Sequence, residues 1–171
     1  MNRRSFLLSS IASGAFAALS RSTLASILKV EGGWQDSSLP FKKIMKTDEE
    51  WKRILTSEQY YVTRQKGTEA PYSSPLNKIH EKGTFECVCC ELPLFSSAAK
   101  FDSHTGWPSF WQPIDRRNVR EEVDKSLSET RTEVLCARCD AHLGHVFDDG
   151  PPPTGLRYCM NGLALKFVRK S

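Results

Sequence analysis

Two short motifs, Cys87-Val88-Cys89-Cys90 and Cys136-Ala137-Arg138-Cys139, decide how this chain folds. Each has the spacing Cys-x-x-Cys, which presents two sulfur atoms from one tight turn. Four thiolates from two such turns match the tetrahedral geometry of a structural zinc site. We therefore predict a closed zinc site, with iron or two disulfides as the alternatives. Its ligands are Cys87, Cys90, Cys136 and Cys139. With four protein ligands, the metal has no open position for catalysis.

The residues around the two motifs predict a mainly β fold. After Gly83, short β-prone runs alternate with Gly, Pro and Asp turns, at 84–88, 92–95, 130–135, 143–147 and 156–168. Before them, Thr47 and Glu50 have the spacing of a helix start, and a second short helix is predicted from Thr56 through Arg64. Gly67 is expected to end that helix. We predict antiparallel sheets stapled by the four-cysteine zinc site, with short N-terminal helices.

The first 25 residues have the composition of an export signal. Asn2-Arg3-Arg4-Ser5-Phe6-Leu7-Leu8 precedes a small and apolar stretch, and Thr23-Leu24-Ala25 ends it with small residues. The paired arginines resemble a twin-arginine signal, so we expect export to the bacterial periplasm. Residues 26–45 are then a flexible lead-in, and residues 46–171 form the folded domain.

An uncleaved membrane anchor or an organelle transit peptide are the alternatives for the same segment. The apolar stretch is interrupted by serines. It is also shorter than the roughly 20 residues that span a bilayer. We therefore expect no stable membrane insertion.

The charge of the chain gives no support for a nucleic-acid partner. The formal net charge is +4, from 24 Lys and Arg against 20 Asp and Glu. The first 25 residues contain Arg3, Arg4 and Arg21 and no acid, so 21 basic residues remain against 20 acidic ones after their removal. A nearly neutral protein is not held on nucleic acid by bulk electrostatics.

Cys159 lies outside both motifs, within Arg157-Tyr158-Cys159-Met160-Asn161. If this segment is extended, Arg157, Cys159 and Asn161 share one face of the strand. A nearby cation raises the small thiolate fraction that a free cysteine has at neutral pH. The pattern is that of a reactive thiol, although a buried apolar cysteine would also fit it.

Two other segments contain candidate site residues. His142 and His145 lie three apart, and histidine delivers protons near neutral pH. On a regular strand they point to opposite faces, whereas a turn would let them converge; metal binding or a surface location are the alternatives. The aromatic segment around Trp107 fits either a core or a binding pocket. Cys89, between two metal ligands, is interpreted as a passive small side chain.

Together these segments resemble the B-type methionine sulfoxide reductases, which reduce the R epimer of methionine sulfoxide. The resemblance covers about residues 47–168 and includes both Cys-x-x-Cys motifs. Its other stretches are Gly67-Thr68-Glu69-x-Pro71, Leu92-Pro93-Leu94-Phe95, Lys100-Phe101-Asp102-Ser103, Gly106-Trp107-Pro108-Ser109-Phe110, His142-Leu143-Gly144-His145-Val146-Phe147, Asp149-Gly150-Pro151 and Arg157-Tyr158-Cys159. The resemblance implies antiparallel sheets with zinc at one end. It also implies oxidised methionine, in proteins or free, as the substrate.

The resemblance further implies roles for single residues. Cys159 is expected to attack the sulfoxide sulfur and to become a sulfenic acid when methionine leaves. His145, with His142, is expected to donate the proton that the oxygen needs. Asn161 and Asp149 match positions that hold this network in place.

Two further positions concern the thiolate and the substrate. Arg157 matches an arginine whose charge favours the thiolate. Trp107 matches the indole that receives the methyl group, where apolar burial and sulfur–aromatic contact suit it.

Regeneration of the thiol is where the chain departs from a common family pattern. Many members have a resolving cysteine directly before the Gly-Trp-Pro-Ser-Phe segment, and here that residue is Thr105. A thioredoxin-like or other external thiol is therefore expected to reduce Cys159 directly. Cys89 is the alternative resolving thiol, and a disulfide with Cys159 would require Cα atoms within about 7 Å.

Two other classes of protein share parts of this pattern. A zinc-stapled β domain can serve as a non-catalytic module that binds a ligand or a protein. A disulfide oxidoreductase would use a reactive Cys-x-x-Cys, but both such pairs are assigned to metal. Turnover of each methionine sulfoxide epimer with a dithiol reductant distinguishes the three hypotheses.

Overall fold

The computed structural model describes residues 39–170. The predicted export signal at 1–25 and most of the predicted lead-in lie outside the described residues. Within residues 39–170, no helix has the length and apolar composition required to cross a bilayer. The helices and strands, in chain order, are α1 Asp48–Ile54, α2 Ser57–Gln65, β1 Gly83–Cys87, β2 Pro93–Ser96, β3 Lys100–Phe101, β4 Ser109–Phe110, β5 Val119–Asp124, β6 Arg131–Cys136, β7 His142–Phe147, β8 Arg157–Met160 and β9 Leu165–Arg169. Short 3-10 helices span Pro75–Lys78, Ser97–Ala99, Arg116–Asn118 and Gly162–Ala164.

Both N-terminal helices begin where the sequence predicts them. The Thr47 side chain accepts from the Glu50 N–H, and the Glu50 side chain accepts from the Thr47 N–H, which is a capping box. Thr56 and Gln59 form the same reciprocal pair at the start of α2. Helix α2 ends at Gln65, and the left-handed φ of 57° at the following residue, Lys66, terminates it just before the predicted glycine.

The strands form two antiparallel sheets, which confirms the predicted fold class. The small sheet has the order β2-β1-β9, and the large sheet has the order β3-β4-β8-β7-β6-β5. The predicted run 156–168 is not one strand. The 3-10 helix Gly162–Ala164 divides it into β8 in the large sheet and β9 in the small sheet. The chain therefore passes from one sheet to the other just after Cys159.

Aromatic side chains from both sheets form the core. Phe85 of β1 and Phe95 of β2 contact Phe110 of β4, with ring centroids 4.9 and 4.5 Å away. Tyr158 of β8 lies 5.8 Å from Phe95. Buried aromatic rings contribute much of the hydrophobic stabilisation of a core. Since Tyr158 faces the core, the alternation of side chains along β8 places Cys159 on the opposite face of the sheet.

The N-terminal segment is attached to the second cysteine motif. Trp51 of α1 is buried, and the Arg64 guanidinium lies 4.8 Å from the centroid of its ring. Arg64 also donates a 2.9 Å hydrogen bond to the carbonyl oxygen of Cys139. The Ile44 N–H donates to the carbonyl oxygen of Arg138 over 2.8 Å. The described end of the predicted lead-in thus makes defined contacts with the domain.

Gly144→Ala should destabilise the protein more than Gly155→Ala. Both glycines have a positive φ, 156° and 73°. A Cβ at Gly144 would overlap the backbone oxygen of Cys159, whereas nothing lies within 4 Å of one at Gly155. The Gly155 variant should lose about 1–2 kcal/mol from the left-handed backbone. The Gly144 variant should show a larger loss, because overpacking costs about 1–3 kcal/mol. Urea unfolding followed by tryptophan fluorescence measures both, and equal losses would contradict the expected clash.

Candidate functional site

The four predicted metal ligands lie together. The sulfur atoms of Cys87, Cys90, Cys136 and Cys139 are all within 4.8 Å of one another. The Cys87–Cys139 and Cys90–Cys136 sulfur pairs are 3.7 and 3.5 Å apart. A tetrahedral centre with bonds of about 2.3 Å separates its sulfur ligands by about 3.8 Å, whereas a disulfide bond is about 2.05 Å long. All six cysteines are free thiols. The cluster therefore fits a metal ion and not two disulfides.

The two cysteine motifs adopt the same turn. The Glu91 N–H donates to the Cys87 carbonyl oxygen over 2.8 Å, and the Asp140 N–H donates to the Cys136 carbonyl oxygen over 2.9 Å. Glu91 and Asp140, each directly after a motif, are left-handed with φ of 58° and 55°. Hydrogen bonding with the Cys136 sulfur raises the pKa of Cys87 and lowers the pKa of Cys90. The sulfur atoms thus form one connected cluster held by backbone turns.

Cys89 lies beside this cluster. Its side chain is buried. Hydrogen bonds with Cys139 and Cys87 lower the pKa of Cys89. The structure therefore places Cys89 among the sulfur atoms of the cluster, and it does not line the cavity that contains Cys159.

Strand pairing determines the neighbours of Cys159. Strand β8 lies between β4 and β7, so that Cys159 pairs with Ser109 on one side and with His145 on the other. Glu133 of β6 is in turn opposite His145. Arg157, two residues before the cysteine, is on the same face of β8. The register of three strands thus brings a thiol, an imidazole and a cation to one face of the sheet.

His145 is oriented by an ionised carboxylate. Its Nε2 lies 2.8 Å from Oδ2 of Asp124, which also accepts a 2.7 Å hydrogen bond from Arg131. Hydrogen bonds from Ser126, and then from His145 and Arg131, hold the pKa of Asp124 far below its ordinary value. An ionised carboxylate only accepts hydrogen bonds, so Nε2 of His145 is the donor. The other ring nitrogen, Nδ1, makes no hydrogen bond with another group within residues 39–170.

His142 converges with His145 because the register of β6 against β7 shifts by a residue within the ladder. The two ring centroids are 5.5 Å apart, although the histidines lie on a strand and not on a turn. His142 is 3% exposed, and its Nδ1 lies 2.7 Å from Oε1 of Glu133. Its Nε2 is buried and has no partner among the described residues. Burial lowers the pKa of His142 although Glu133 opposes the shift, so His142 is neutral at neutral pH.

Glu133 is the buried carboxylate that holds His142. Burial alone would raise its pKa, but hydrogen bonds from Lys66 and His142 outweigh that effect and lower the pKa. The Lys66 ammonium lies 2.6 Å from Oε2 of Glu133. Each histidine of the site therefore forms a hydrogen bond with its own ionised carboxylate, His142 with Glu133 and His145 with Asp124.

A cavity of about 110 Å³ opens beside the thiol. Its lining residues are Thr68, Trp107, Arg131, Gly144, His145, Phe147, Cys159 and Asn161. The rings of Trp107 and Phe147 provide apolar surface, while Cys159 and His145 provide reactive groups. A space of this size takes the end of one side chain, with a thiol and an imidazole ring in the same wall.

Glu69 links two residues of the cavity wall. The Trp107 Nε1–H donates to its carbonyl oxygen over 3.2 Å, and the Glu69 N–H donates to Oδ1 of Asn161 over 3.0 Å. Its carboxylate is buried and accepts from the N–H groups of Gly162 and Leu163, over 2.7 and 2.9 Å. This residue was part of the resemblance only as one letter of a motif. No sequence signal indicated that it joins Trp107 to Asn161.

Asp149 holds Arg157. The two side chains form a bidentate pair with two bonds of 2.8 Å, and the guanidinium lies 4.3 Å from the centroid of the Phe147 ring. The hydrogen bond to Asp149 raises the pKa of Arg157, with a smaller contribution from Cys159. The sequence placed Asp149 in the histidine network. In the structure it positions the arginine and, through it, the aromatic wall.

The acids that hold the histidines were missed from the sequence. Glu133 and Arg131 alternate on a strand that was predicted, so their common face was available as a signal. Asp124 ends β5, a strand that was not predicted, and nothing local indicated its approach to His145.

Comparisons with known proteins identify the family of this chain. The SelR domain model matches residues 55–169. The peptide methionine sulfoxide reductase MsrB of Hahella chejuensis is 56% identical over 125 residues, which are 73% of this chain and 90% of that protein. The MsrB of Pseudomonas syringae pv. syringae is 56% identical over 129 residues, 75% of this chain and 98% of that protein. The chloroplastic peptide methionine sulfoxide reductase B1 of Oryza sativa subsp. japonica is 57% identical over 124 residues, 72% of this chain and 58% of that protein. The matched region contains both cysteine motifs and Cys159, and the chain therefore belongs to the SelR-domain family of peptide methionine sulfoxide reductases.

Proposed function

We propose that this methionine sulfoxide reductase reduces the R epimer of methionine sulfoxide, in proteins or free, and so repairs oxidised methionine. The observation that carries the proposal is the cavity in which Cys159 faces His145 beside the rings of Trp107 and Phe147. Five of the six cysteines lie in or beside the metal cluster, which leaves one thiol in a substrate-sized space.

The reaction transfers oxygen from the substrate to Cys159. The thiolate attacks the sulfoxide sulfur and forms a sulfur–sulfur bond, while the oxygen gains one proton. The new sulfur–sulfur bond and the original sulfur–oxygen bond then break as the hydroxyl group passes to the cysteine sulfur. The substrate sulfur gains two electrons and leaves as methionine, while the cysteine sulfur loses two electrons and becomes a sulfenic acid. Arg157 lies on the same face of the strand as the attacking sulfur.

His145 supplies the proton in this proposal. It is the cross-strand neighbour of Cys159, and its Nε2 is engaged by Asp124, so that Nδ1 carries the exchangeable proton. His142 is neutral and fixed on Glu133 through Nδ1, and its ring packs beside that of His145. Asn161 lines the same cavity and is fixed by the Glu69 N–H.

Trp107 and Phe147 receive the methyl group of the substrate. A methyl–sulfur group packs favourably against aromatic rings, and the contact contributes about 0.3–1.5 kcal/mol. The rings of Trp107 and Phe147 are fixed by Glu69 and Arg157, respectively. The apolar wall therefore orients the methyl group of the chiral sulfoxide sulfur away from the histidines. Because only one epimer can then direct its oxygen toward them, this orientation accounts for the preference for one epimer.

An external thiol restores the enzyme. Two thiols of a thioredoxin-like or other dithiol reductant convert the sulfenic acid to Cys159 and water and become a disulfide. Thr105 lies next to Cys159, and a hydroxyl cannot form a disulfide. Cys89 stays the alternative resolving thiol, but its sulfur lies against the metal cluster.

The metal held by the cluster is zinc in this proposal. Four thiolates with nearly tetrahedral spacing suit zinc, and no ligand position is left for substrate. Its chemistry is structural: it ties the two Cys-x-x-Cys turns together. Residues 1–25 are proposed to export the protein to the periplasm, where methionine is exposed to oxidants.

Cys159→Ser should abolish reduction of methionine (R)-sulfoxide and keep the metal and the fold, because Cys159 is not a cluster ligand. Turnover of each epimer with dithiothreitol, and metal content per chain, measure this. Cys89→Ser is the matched control and should keep its activity. Consumption of the S but not the R epimer by the wild-type protein, or activity in the Cys159 variant, would refute the assignment. Binding of the sulfoxide without turnover would favour the binding-module alternative.

His145→Ala should lower kcat by about 10²–10⁴-fold with little change in KM, because general acid catalysis contributes that much. Asp124→Asn should lower kcat less, since it removes the carboxylate that orients the ring. Steady-state kinetics between pH 6 and 8 measure both effects. His80→Ala is the control, because His80 is exposed and outside the cavity. An unchanged kcat in the His145 variant would remove it as the proton donor.

Cys136→Ser should lose the metal and most of the folded state. Structural zinc contributes about 10–16 kcal/mol of apparent binding free energy in small zinc-binding peptides. Net stability of a domain is only about 5–15 kcal/mol. Atomic absorption and thermal unfolding by circular dichroism measure the two losses. Cys89→Ser changes the neighbouring motif without removing a ligand and should keep both properties. Retention of metal and fold in the Cys136 variant would disprove the structural role.

A further inference from the structure

We propose that the Thr105 hydroxyl donates a hydrogen bond to the thiolate of Cys159, at the end of a chain of hydroxyl groups that reverses direction when the thiol ionises. The hydroxyl chain consists of Thr105, Ser103 and Ser109. The proposal deepens the proposed function, because it concerns the activation of the nucleophile assigned there.

The hydroxyl chain is continuous from the thiol to a backbone carbonyl. Thr105 Oγ1 lies 3.7 Å from Cys159 Sγ and 2.8 Å from Ser103 Oγ. Ser103 Oγ lies 2.7 Å from Ser109 Oγ, which donates to the Trp107 carbonyl oxygen over 3.1 Å. Ser109 is fully buried and pairs with Cys159 between β4 and β8. Within residues 39–170, these three hydroxyl oxygens have no other side-chain partner.

The number of hydrogens fixes the direction of the chain. With a neutral thiol, four hydrogens serve four contacts: the thiol donates to Thr105, Thr105 to Ser103, Ser103 to Ser109, and Ser109 to the Trp107 carbonyl. Each hydroxyl then donates once and accepts once, which uses its single hydrogen fully.

When Cys159 ionises, the thiol hydrogen leaves to solvent, and three hydroxyl hydrogens remain for the four contacts. A hydrogen bond to an ionised acceptor is roughly twice as strong as one between neutral groups. The sulfur anion therefore takes the Thr105 hydrogen, Ser103 turns to Thr105, and Ser109 turns to Ser103. The contact left without a hydrogen is then the one between Ser109 and the Trp107 carbonyl oxygen. That oxygen is neutral, so the loss of this hydrogen bond costs least.

The charged surroundings of Cys159 make an uncharged donor useful. The strand register places six titratable groups on its face from β8, β7, β6 and β5: Arg157, His145, Arg131, Glu133, Glu122 and Asp124. Each cation among them is already bound to a carboxylate. Arg157 forms two bonds with Asp149, and Arg131 and His145 share Asp124. Thr105 is in direct contact with the sulfur and has no competing anion.

The test is the pH dependence of alkylation at Cys159 in the full-length, metal-loaded protein. Iodoacetamide reacts with the thiolate, and mass spectrometry of the peptide containing residue 159 reports this cysteine alone. Thr105→Val keeps the shape and removes the hydroxyl. Its alkylation midpoint should rise by about one pH unit, a tenfold loss of thiolate at a given pH, as expected for one charge-assisted hydrogen bond. Thr105→Ser keeps the hydroxyl and should match the wild-type midpoint. Metal content and circular dichroism confirm that each variant is folded.

Ser103→Ala separates the directional chain from a general disturbance of the loop. This change removes the acceptor of the Thr105 hydrogen in the thiol form and leaves that hydrogen free to point at the sulfur. Its alkylation midpoint should stay at or below the wild-type value.

Two results would overturn the proposal: an unchanged midpoint in Thr105→Val, or an upward shift in Ser103→Ala equal to that in Thr105→Val. Alkylation needs no turnover, so these outcomes are independent of whether Cys159→Ser loses the reductase activity.

Discussion

Antiparallel hydrogen bonds between β7 and β8 place His145 opposite Cys159 and Phe147 opposite Arg157. Side chains alternate along a strand, so a slip of one residue would turn Cys159 into the core and Tyr158 into the cavity. The fully buried position of Tyr158 against Phe95 opposes such a slip. His145, the apolar wall and the thiol therefore share one face because an aromatic ring on the other face is buried.

The cysteine cluster fixes the two sheets at their strand ends. Cys87 is the last residue of β1 in the small sheet, and Cys136 is the last residue of β6 in the large sheet. A metal held by both motifs joins these strands across the core. The chain joins the same two sheets a second time through Gly162–Ala164, directly after Asn161. The large sheet, which contains Cys159 and His145, is therefore tied to the small sheet by the metal cluster and by the Gly162–Ala164 connection. These two ties explain how a small domain holds several side chains in a defined geometry.

Local patterns in the sequence predicted a large part of this structure. Cys-x-x-Cys spacing indicated the cluster, threonine caps indicated both helices, and alternation placed Arg157 and Cys159 on one face. The convergence of the two histidines was not predictable, because it depends on a register shift between β6 and β7. The approach of Asp124 to His145 depends on the pairing of β5, β6 and β7, and such pairing between strands distant along the chain leaves no local pattern.

The two histidines have different physical environments, and this difference divides their roles. Cations on both rings, whose centroids are 5.5 Å apart, would repel each other in a partly dry cavity. Burial keeps His142 neutral, and Glu133 fixes its ring by Nδ1. His145 instead donates to Asp124, whose carboxylate is ionised and also accepts a hydrogen bond from Arg131. In the proposed reaction the proton donor is therefore the ring directly opposite Cys159, while the neighbouring ring stays a fixed, uncharged group.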